Sequence, residues 1–342
     1  MTSSTEDPTA TADWRLPRSL SRLRFGAALR RTLFGISPQE TAFSKRRFRG
    51  DAEAVKERLE KVGQCFVGGY HAALEDDRRP LPLAARIDAE VEHEFHGFAY
   101  EGAGMALALL DTLLPGRRDR LARFLAGPGN AHAYIVHVGA GWILARLPLS
   151  PGRLLARLED PVLRWLALDG YGFHEGFFRW PRSIERRKIP RKLDGYARRG
   201  FDQGLGRSLW FVNGADVRLI PRTIAAFPEH RQADLWSGAG LACAYAGGRD
   251  RADVESLRQA AGPHRPSLAQ GAAFAAKARE RAGNLAGHTE LACQVICGTS
   301  AVQAAALTDE LGHGLPVDLP GEPAFEVWRR RIQERFSAEG PQ

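Results

Sequence analysis

A short glycine-and-alanine motif returns eight times along the 342 residues of this chain and constrains its fold more than any other feature. It reads VGGYHAAL from Val67, EGAGMALA from Glu101, VGAGWILA from Val138 and DGYGFHEG from Asp169. It continues as QGLGRSLW from Gln203, SGAGLACA from Ser237, QGAAFAAK from Gln270 and, in weaker form, CGTSAVQA from Cys297. With Gly68, Gly102, Gly139, Gly170, Gly204, Gly238, Gly271 and Gly298 as anchors, the copies lie 34, 37, 31, 34, 34, 33 and 27 residues apart. A period near 34 residues matches one helix-turn-helix unit, which is too small to bury its apolar face except against its neighbours. The expected fold is all-α: tandem helix-turn-helix repeats forming a tetratricopeptide-like superhelix or an α/α toroid.

The punctuation between motifs agrees. After Gly102 an apolar stretch runs to Leu114, Pro115-Gly116 stops it, and Arg118 to Leu125 carries a second amphipathic pattern. Pro148, Pro151 and Pro161 divide the next units in the same way. The β-branched alternation that a sheet requires is nearly absent. Small residues four apart, such as Gly102 and Ala106, Gly172 and Gly176, or Gly238 and Ala242, would clear one helix face for a close neighbour. Glycine inside a helix costs about 1 kcal/mol relative to alanine, so its recurrence predicts tight crossings that compensate. A phosphate-binding loop needs a preceding strand and a Lys-Ser/Thr or third-glycine completion, and the motifs have neither.

A 44% hydrophobic content is enough for one continuous core, assigned here to residues 31–335 behind a flexible basic arm, residues 1–30. The net charge of +8 is dispersed except between Arg179 and Arg199, where Arg182, Arg186, Arg187, Lys188, Arg191, Lys192 and Arg198 crowd a proline-containing segment. No nucleic-acid motif accompanies that run, so nucleic acid is disfavoured as a partner, as is a membrane surface. The most apolar window, Ala133 to Leu147, is too short to span a bilayer, and the N-terminal stretch to Arg31 develops no apolar run of signal-peptide length. Cys65, Cys243, Cys293 and Cys297 lack the spacing of a disulfide framework. A reducing, cytoplasmic setting is expected.

Reactive side chains concentrate in Leu168–Phe178. Tyr171 lies three residues from His174 and four from Glu175, a spacing that lets a phenol face an imidazole or a carboxylate on one helix, with Asp169 placed to orient either. These four are the candidate catalytic residues; the structural alternative is a capping aspartate and hydrogen-bonded core aromatics. His137, Trp142 and Arg146 offer an imidazole, an indole and a guanidinium that could line a pocket for a conjugated apolar substrate. Asp202, Arg207 and Trp210, then Asp234 and Trp236, and Glu101 earlier in the chain, complete the substrate-binding candidates. Ion pairing between repeats is the competing use for Asp202, Arg207 and Asp234, and Glu101 or Asp111 can simply serve helix termini. His93 and His96 are three apart and lack a clear third ligand, so no metal site is assigned. No nucleophile elbow is present, which disfavours ordinary hydrolysis, and no nicotinamide, flavin, haem or iron–sulfur signature points to a cofactor.

Several long motifs also resemble a known family. FHGFAYEGAGMALALLD from Phe95, HVGAGWILARL from His137, LDGYGFHEGFF from Leu168, FDQGLGRSLWFVNGADV from Phe201 and DLWSGAGLACAYAGG from Asp234 appear in order, preceded by LFGISPQETAFSKRRF from Leu33. Together they are similar to a domain-of-unknown-function family encoded beside polyketide synthases in the enediyne gene clusters of actinomycetes. The resemblance covers roughly residues 30 to 310. It implies a place in enediyne antibiotic biosynthesis, downstream of a synthase that makes a long polyene, and carries over no active-site residue. The expectation is cofactor-free binding of an apolar polyene or enediyne intermediate, with cyclisation, isomerisation or carbon–carbon bond formation. The alternative is a non-catalytic scaffold, carrier or sequestering self-resistance protein acting with other proteins of the pathway.

Overall fold

The computed structural model describes residues 18–319 and 321–338. Among them the chain is helical, and the β pairing is a lone bridge between Leu319 and Glu322. Helix α1 (Arg18–Phe34) and the single-turn α2 (Phe43–Arg46) precede α3 (Glu53–Glu75), the first helix to carry the glycine motif. Then α4 (Pro80–Glu90) leads to α5 (His96–Leu113), α6 (Arg120–Leu125) to α7 (Ala133–Gly141), and the short α8 (Ile143–Arg146) and α9 (Pro151–Leu155) to α10 (Leu166–Phe178). A π turn at Pro181–Glu185 precedes α11 (Ala197–Val212); α12 (Leu219–Ala225) precedes α13 (Glu229–Ala246), and α14 (Arg251–Ala260) precedes α15 (Arg265–Arg281). Three more helices follow: α16 (Gly287–Ile296), α17 (Ala301–Leu311) and α18 (Ala324–Ala338).

Seven helices bear the motif: α3, α5, α7, α10, α11, α13 and α15. Each packs on the next, and the glycines mark the crossings. A Cβ built on Gly102, Gly139, Gly170, Gly204, Gly238 or Gly271 would lie 1.8–2.0 Å from a backbone oxygen of the preceding motif helix, those of Phe66, Glu101, Val138, Asp169, Gln203 and Ser237 respectively. The second glycine faces the other way. A Cβ on Gly69, Gly104, Gly141, Gly172, Gly206 or Gly240 would lie 1.7–2.6 Å from the carbonyl oxygen of Ala99, Val136, Ala167, Phe201, Leu235 or Leu268 in the following helix. Phe66 thus meets Gly102 while Gly69 meets Ala99, so residue numbers run in opposite senses across the contact, and the same offset holds at all six crossings. Successive motif helices cross antiparallel with backbone against backbone, an approach that only a residue without Cβ permits.

Two anchors differ from expectation. Gly68 has nothing within 4 Å of its added Cβ; the residue at the crossing is its neighbour Gly69, because helical rotation turns Gly68 to the outside. Gly298 has φ +71° and follows the last turn of α16, so it ends a helix rather than packing one. The expected basic arm is helical from Arg18 onward, and Arg30 donates to the Leu74 carbonyl at 2.6 Å and pairs with Asp77 at 3.1 Å. Its residues 1–17 lie outside the described residues.

No single helix among the described residues is long and apolar enough to cross a membrane. The pair α16–α17 is sufficient only in sum, and it bends by 67°. Cys293 and Cys297 share one face of α16, as their spacing predicts, and direct their thiols to the Ala272 and Ala269 carbonyls of α15.

Candidate functional site

The residue before the first motif glycine is Glu101 in α5, Asp169 in α10, Gln203 in α11, Ser237 in α13 and Gln270 in α15. These side chains are buried, and because the glycines bring the backbones together they reach one another. Gln203 donates to Asp169 Oδ2 at 2.9 Å, the single Ser237 hydroxyl hydrogen is shared between Gln270 Oε1 at 2.8 Å and Gln203 Oε1 at 3.3 Å, and Arg329 of α18 donates to Gln270 at 3.3 Å. Arg207, four residues on from Gln203, turns to the other end of the ladder. Its Nε lies 3.0 Å from Asp169 Oδ1, and its Nη2 donates to Glu101 Oε1 at 3.2 Å. Trp142 donates its indole N–H to the same oxygen at 3.0 Å. Among the described residues no donor reaches Glu101 Oε2.

This end of the ladder forms part of the wall of an apolar cavity. The cavity is walled by α3, α5, α10, α11 and α13, by Trp142 between α7 and α8, and by Ile36–Thr41 ahead of α2; it holds about 630 Å³ of space not filled by protein atoms, part of it open to solvent. Eight aromatic rings line it: Phe66, Phe98, Trp142, Phe173, Phe177, Phe178, Phe211 and Tyr245. Phe66 stacks on Trp142 with centroids 4.1 Å apart, Phe173 meets Phe211 edge-on at 5.2 Å, and the Arg207 guanidinium lies 4.6 Å from the Phe173 ring centroid. The charged lining residues are Glu40, Glu101 and Arg207. Glu40 is held by Lys45 and Arg46, which keep its carboxyl below the ordinary range despite partial burial.

Electrostatics sets the protonation of the inner trio. Burial pushes the Glu101 carboxyl up, and Arg207 and Trp142 pull it partly back; burial likewise raises Asp169 against the pull of Arg207 and Gln203. Two fully buried carboxyls share a single guanidinium, and an uncompensated charge in such a place is costly. Both carboxyls are therefore pushed towards the protonated form, against the pull of the shared guanidinium.

Sequence reasoning had singled out thirteen residues, and the structure divides them. Glu101, Trp142 and Arg207 come together on the cavity wall, with Asp169 directly behind. Tyr171 and His174 are not joined by a hydrogen bond or ring contact: Tyr171 packs edge-on against Phe201 at 5.4 Å beneath the Lys192 ammonium, whereas His174 lies against Trp142 and Phe178. Burial lowers the His174 pKa to about 3, so the ring is a neutral imidazole, and its Nδ1 is buried with no hydrogen bond. Glu175 pairs with Arg179 at 3.1 Å and is pushed up by burial. His174 and Arg146 line a separate, more polar hollow beside the cavity. His137 lines another cavity with Arg157, Asp160 and Arg281, and its Nδ1 donates to the Ala133 carbonyl at 2.7 Å.

The remaining candidates bind helices together. Asp202 and Arg231 form a two-point ion pair between α11 and α13 at 2.5 and 2.8 Å. Asp234 receives Arg199 at 3.0 Å and Arg329 at 2.8 Å, Trp210 donates to the Gly247 carbonyl at 2.9 Å, and Trp236 is buried in α13. Asp111 accepts from Arg120 at 3.1 Å. From the basic run, Lys192 donates to the Leu149 carbonyl at 3.1 Å and Arg199 is bound as above. His93 and His96 meet as rings 5.1 Å apart, and no cluster of three or more potential metal ligands occurs among the described residues. Sequence reasoning missed the phenylalanines of the cavity, the Gln203–Ser237–Gln270 ladder and Tyr245. The signal for the ladder was visible: the residue before the motif glycine is polar in five of the motifs from Glu101 onward.

No curated protein and no solved structure gives a significant match to the chain. A family model does match, over residues 25–336, which is most of the sequence and every helix that walls the cavity. The chain belongs to the family described as "Protein of unknown function (DUF1702)".

Proposed function

We propose that this protein binds an apolar, conjugated polyene or enediyne intermediate in the aromatic cavity and rearranges it during enediyne antibiotic biosynthesis, in the cytoplasm. The observation that carries the reading is the cavity lining: eight aromatic rings with one buried carboxyl, Glu101, whose Oε2 receives no donor from the described residues. Aromatic faces suit a long conjugated chain, and their negative π clouds stabilise positive charge developing on it. We read the motif helices as a helical-repeat array closing on itself in the manner of an α/α toroid, with that lining inside; the contact that supports closure is Arg58 of α3, which donates to the Ala246 carbonyl at the end of α13 at 2.6 Å.

The chemistry that fits is redox-neutral and needs no cofactor. Glu101 in its acid form donates a proton to one double bond, a second double bond attacks the resulting cation to close a carbon–carbon bond, and a proton returns from the product to the Glu101 carboxylate. Arg207 and Asp169 set the proton affinity of Glu101, and Trp142 orients it. Tyr171 and His174 lie outside the lining of this cavity, so the acid–base role moves from them to Glu101.

A second reading, a carrier or sequestering protein without turnover, is favoured by the same sparsely charged lining. Incubation of purified protein with intermediates accumulated by a producer strain lacking this gene, followed by mass spectrometry, separates the two. Conversion by the wild type, lost in Glu101→Gln and in the cavity-filling Leu241→Trp, supports rearrangement. Bound but unchanged ligand supports the carrier, and conversion that survives both substitutions refutes the site.

A further inference from the structure

The hollow containing His174 and Arg146 adjoins the aromatic cavity, and the two differ sharply in chemistry. They share Ile36, Glu40 and Phe178 as a common wall. The Phe178 ring lies 6.1 Å from Trp142 on the cavity side and 4.7 Å from His174 on the hollow side, so this half-buried ring, with Ile36 and Glu40, stands between the two. The inner one is aromatic; the outer one is lined by Arg146, Arg179 and a buried His174 whose Nδ1 makes no hydrogen bond and lies 4.0 Å from Glu175.

The charges lining the outer hollow are unequal. Arg179 is already paired with Glu175, and Glu40 with Lys45 and Arg46. Arg146 is exposed and makes no hydrogen bond or ion pair with any described residue. One guanidinium, whose charge reaches Glu40 only through space, is therefore left without a direct partner in the hollow that shares a wall with the aromatic cavity. We propose that the ligand is a long-chain carboxylate: its apolar chain lies among the aromatic rings, and its single negative charge is received by Arg146 in the outer hollow. A guanidinium binds a carboxylate through two parallel N–H donors, and the Glu40 carboxylate on the shared wall disfavours a more highly charged head such as a phosphate monoester. This assignment names the ligand class of the cavity and rests on the reading that the cavity binds an apolar chain.

Fluorescence titration of the full chain with a long-chain conjugated tetraenoic acid, its methyl ester and the corresponding alkyl phosphate tests it. The wild type should bind the acid about tenfold or more tightly than the ester, and more tightly than the phosphate. Arg146→Met should erase the difference between acid and ester, Arg146→Lys should keep part of it, and Leu241→Trp should weaken all three probes. Equal affinity of wild type for acid and ester, or an acid preference that survives Arg146→Met, overturns the head-group assignment while leaving the apolar cavity standing. Preference for the phosphate overturns the carboxylate. Binding of none of the probes, or binding unaffected by Leu241→Trp, removes the cavity reading and this inference together.

Discussion

Gly204→Ala should be among the most damaging single-methyl additions this chain can suffer. A Cβ at Gly204 would sit 1.8 Å from the Asp169 carbonyl oxygen, 2.5 Å from its carbon and 2.8 Å from its Cα. Restoring an ordinary 3.4 Å contact to that oxygen requires a 1.6 Å separation, the difference of the two distances. The obstacle is backbone inside a helix, so no rotamer change relieves it. Both helices are also held from their far sides, α10 by Gly170 against Val138 and α11 by Gly206 against Leu235. Overpacking costs about 1–3 kcal/mol where side chains can give way, and a rigid neighbour puts this case at the top of that range. Replacing glycine by alanine in a helix returns about 1 kcal/mol, leaving a net loss of about 2 kcal/mol. Gly68→Ala is the matched control: the residue is helical, exposed and open to 4 Å, so only the propensity gain of up to about 1 kcal/mol remains. Urea unfolding followed by circular dichroism should move the two midpoints in opposite directions. A Gly204→Ala midpoint at or above wild type, or a Gly68→Ala protein as destabilised as Gly204→Ala, would refute the crossing argument.

Arg207→Met should cost about 3–5 kcal/mol in the same unfolding assay, because it strands Glu101 and Asp169 without a cation; adding Glu101→Leu and Asp169→Leu should recover most of the loss, and a single variant as stable as wild type would discount the trio. Acidification should weaken the fold below about pH 6.5: burial lowers His174 to about 3 and His132 and His288 to about 4, so the unfolded chain takes up protons first, and stability present above 6.5 is lost progressively towards pH 4. His174→Leu should flatten that slope of urea midpoint against pH, and an unchanged slope would count against a buried neutral ring. A thiol reagent should modify at most Cys65 in the native protein and all four cysteines after denaturation, since Cys243, Cys293 and Cys297 are buried; rapid native reaction at two or more sites would contradict the packing of α13 and α16 on α15.

The helical class and the close crossings were legible because they depend on periodicity and on the absence of a Cβ, both of which a sequence displays directly. The register was legible only to within a residue. VGGY offers two glycines, and rotation by one residue, about 100° around a helix, decides that Gly69 and not Gly68 meets Ala99. The site was harder to read. Tyr171 and His174 have the spacing of a pair on one face, yet their rings settle against different partners, Phe201 and Phe178, because neighbouring helices determine where a side chain lies once spacing permits it. Glu101 and Arg207 are 106 residues apart and touch only because α5 and α11 wall the same cavity. No local pattern encodes such a contact.

The motif glycines and the site are consequences of one constraint. Where two helices approach backbone to backbone, the residue before the first glycine of each is carried against its counterpart on the next helix. That position must then hold either a small apolar group or a polar group whose partner is supplied by the same crossing. Val138 takes the first solution, and Asp169, Gln203, Ser237 and Gln270 take the second, each hydrogen-bonded to the next. At the α18 end the ladder is closed by Arg329, which is itself neutralised by Asp234 and Glu326. At the cavity end it terminates on Asp169, Arg207 and Glu101, where two carboxyls meet one guanidinium. A ladder built only for stability could have ended on a neutral amide there, of the kind that Gln203 supplies within it. An ending that instead leaves one carboxyl oxygen of Glu101 without a donor among the described residues, in a wall of aromatic rings, is the feature of this fold that stability does not require. Glu101→Gln is accordingly the substitution that separates the two roles: it retains an acceptor for Trp142 and Arg207, removes the proton that can be given to a ligand, and leaves the glycine crossings untouched.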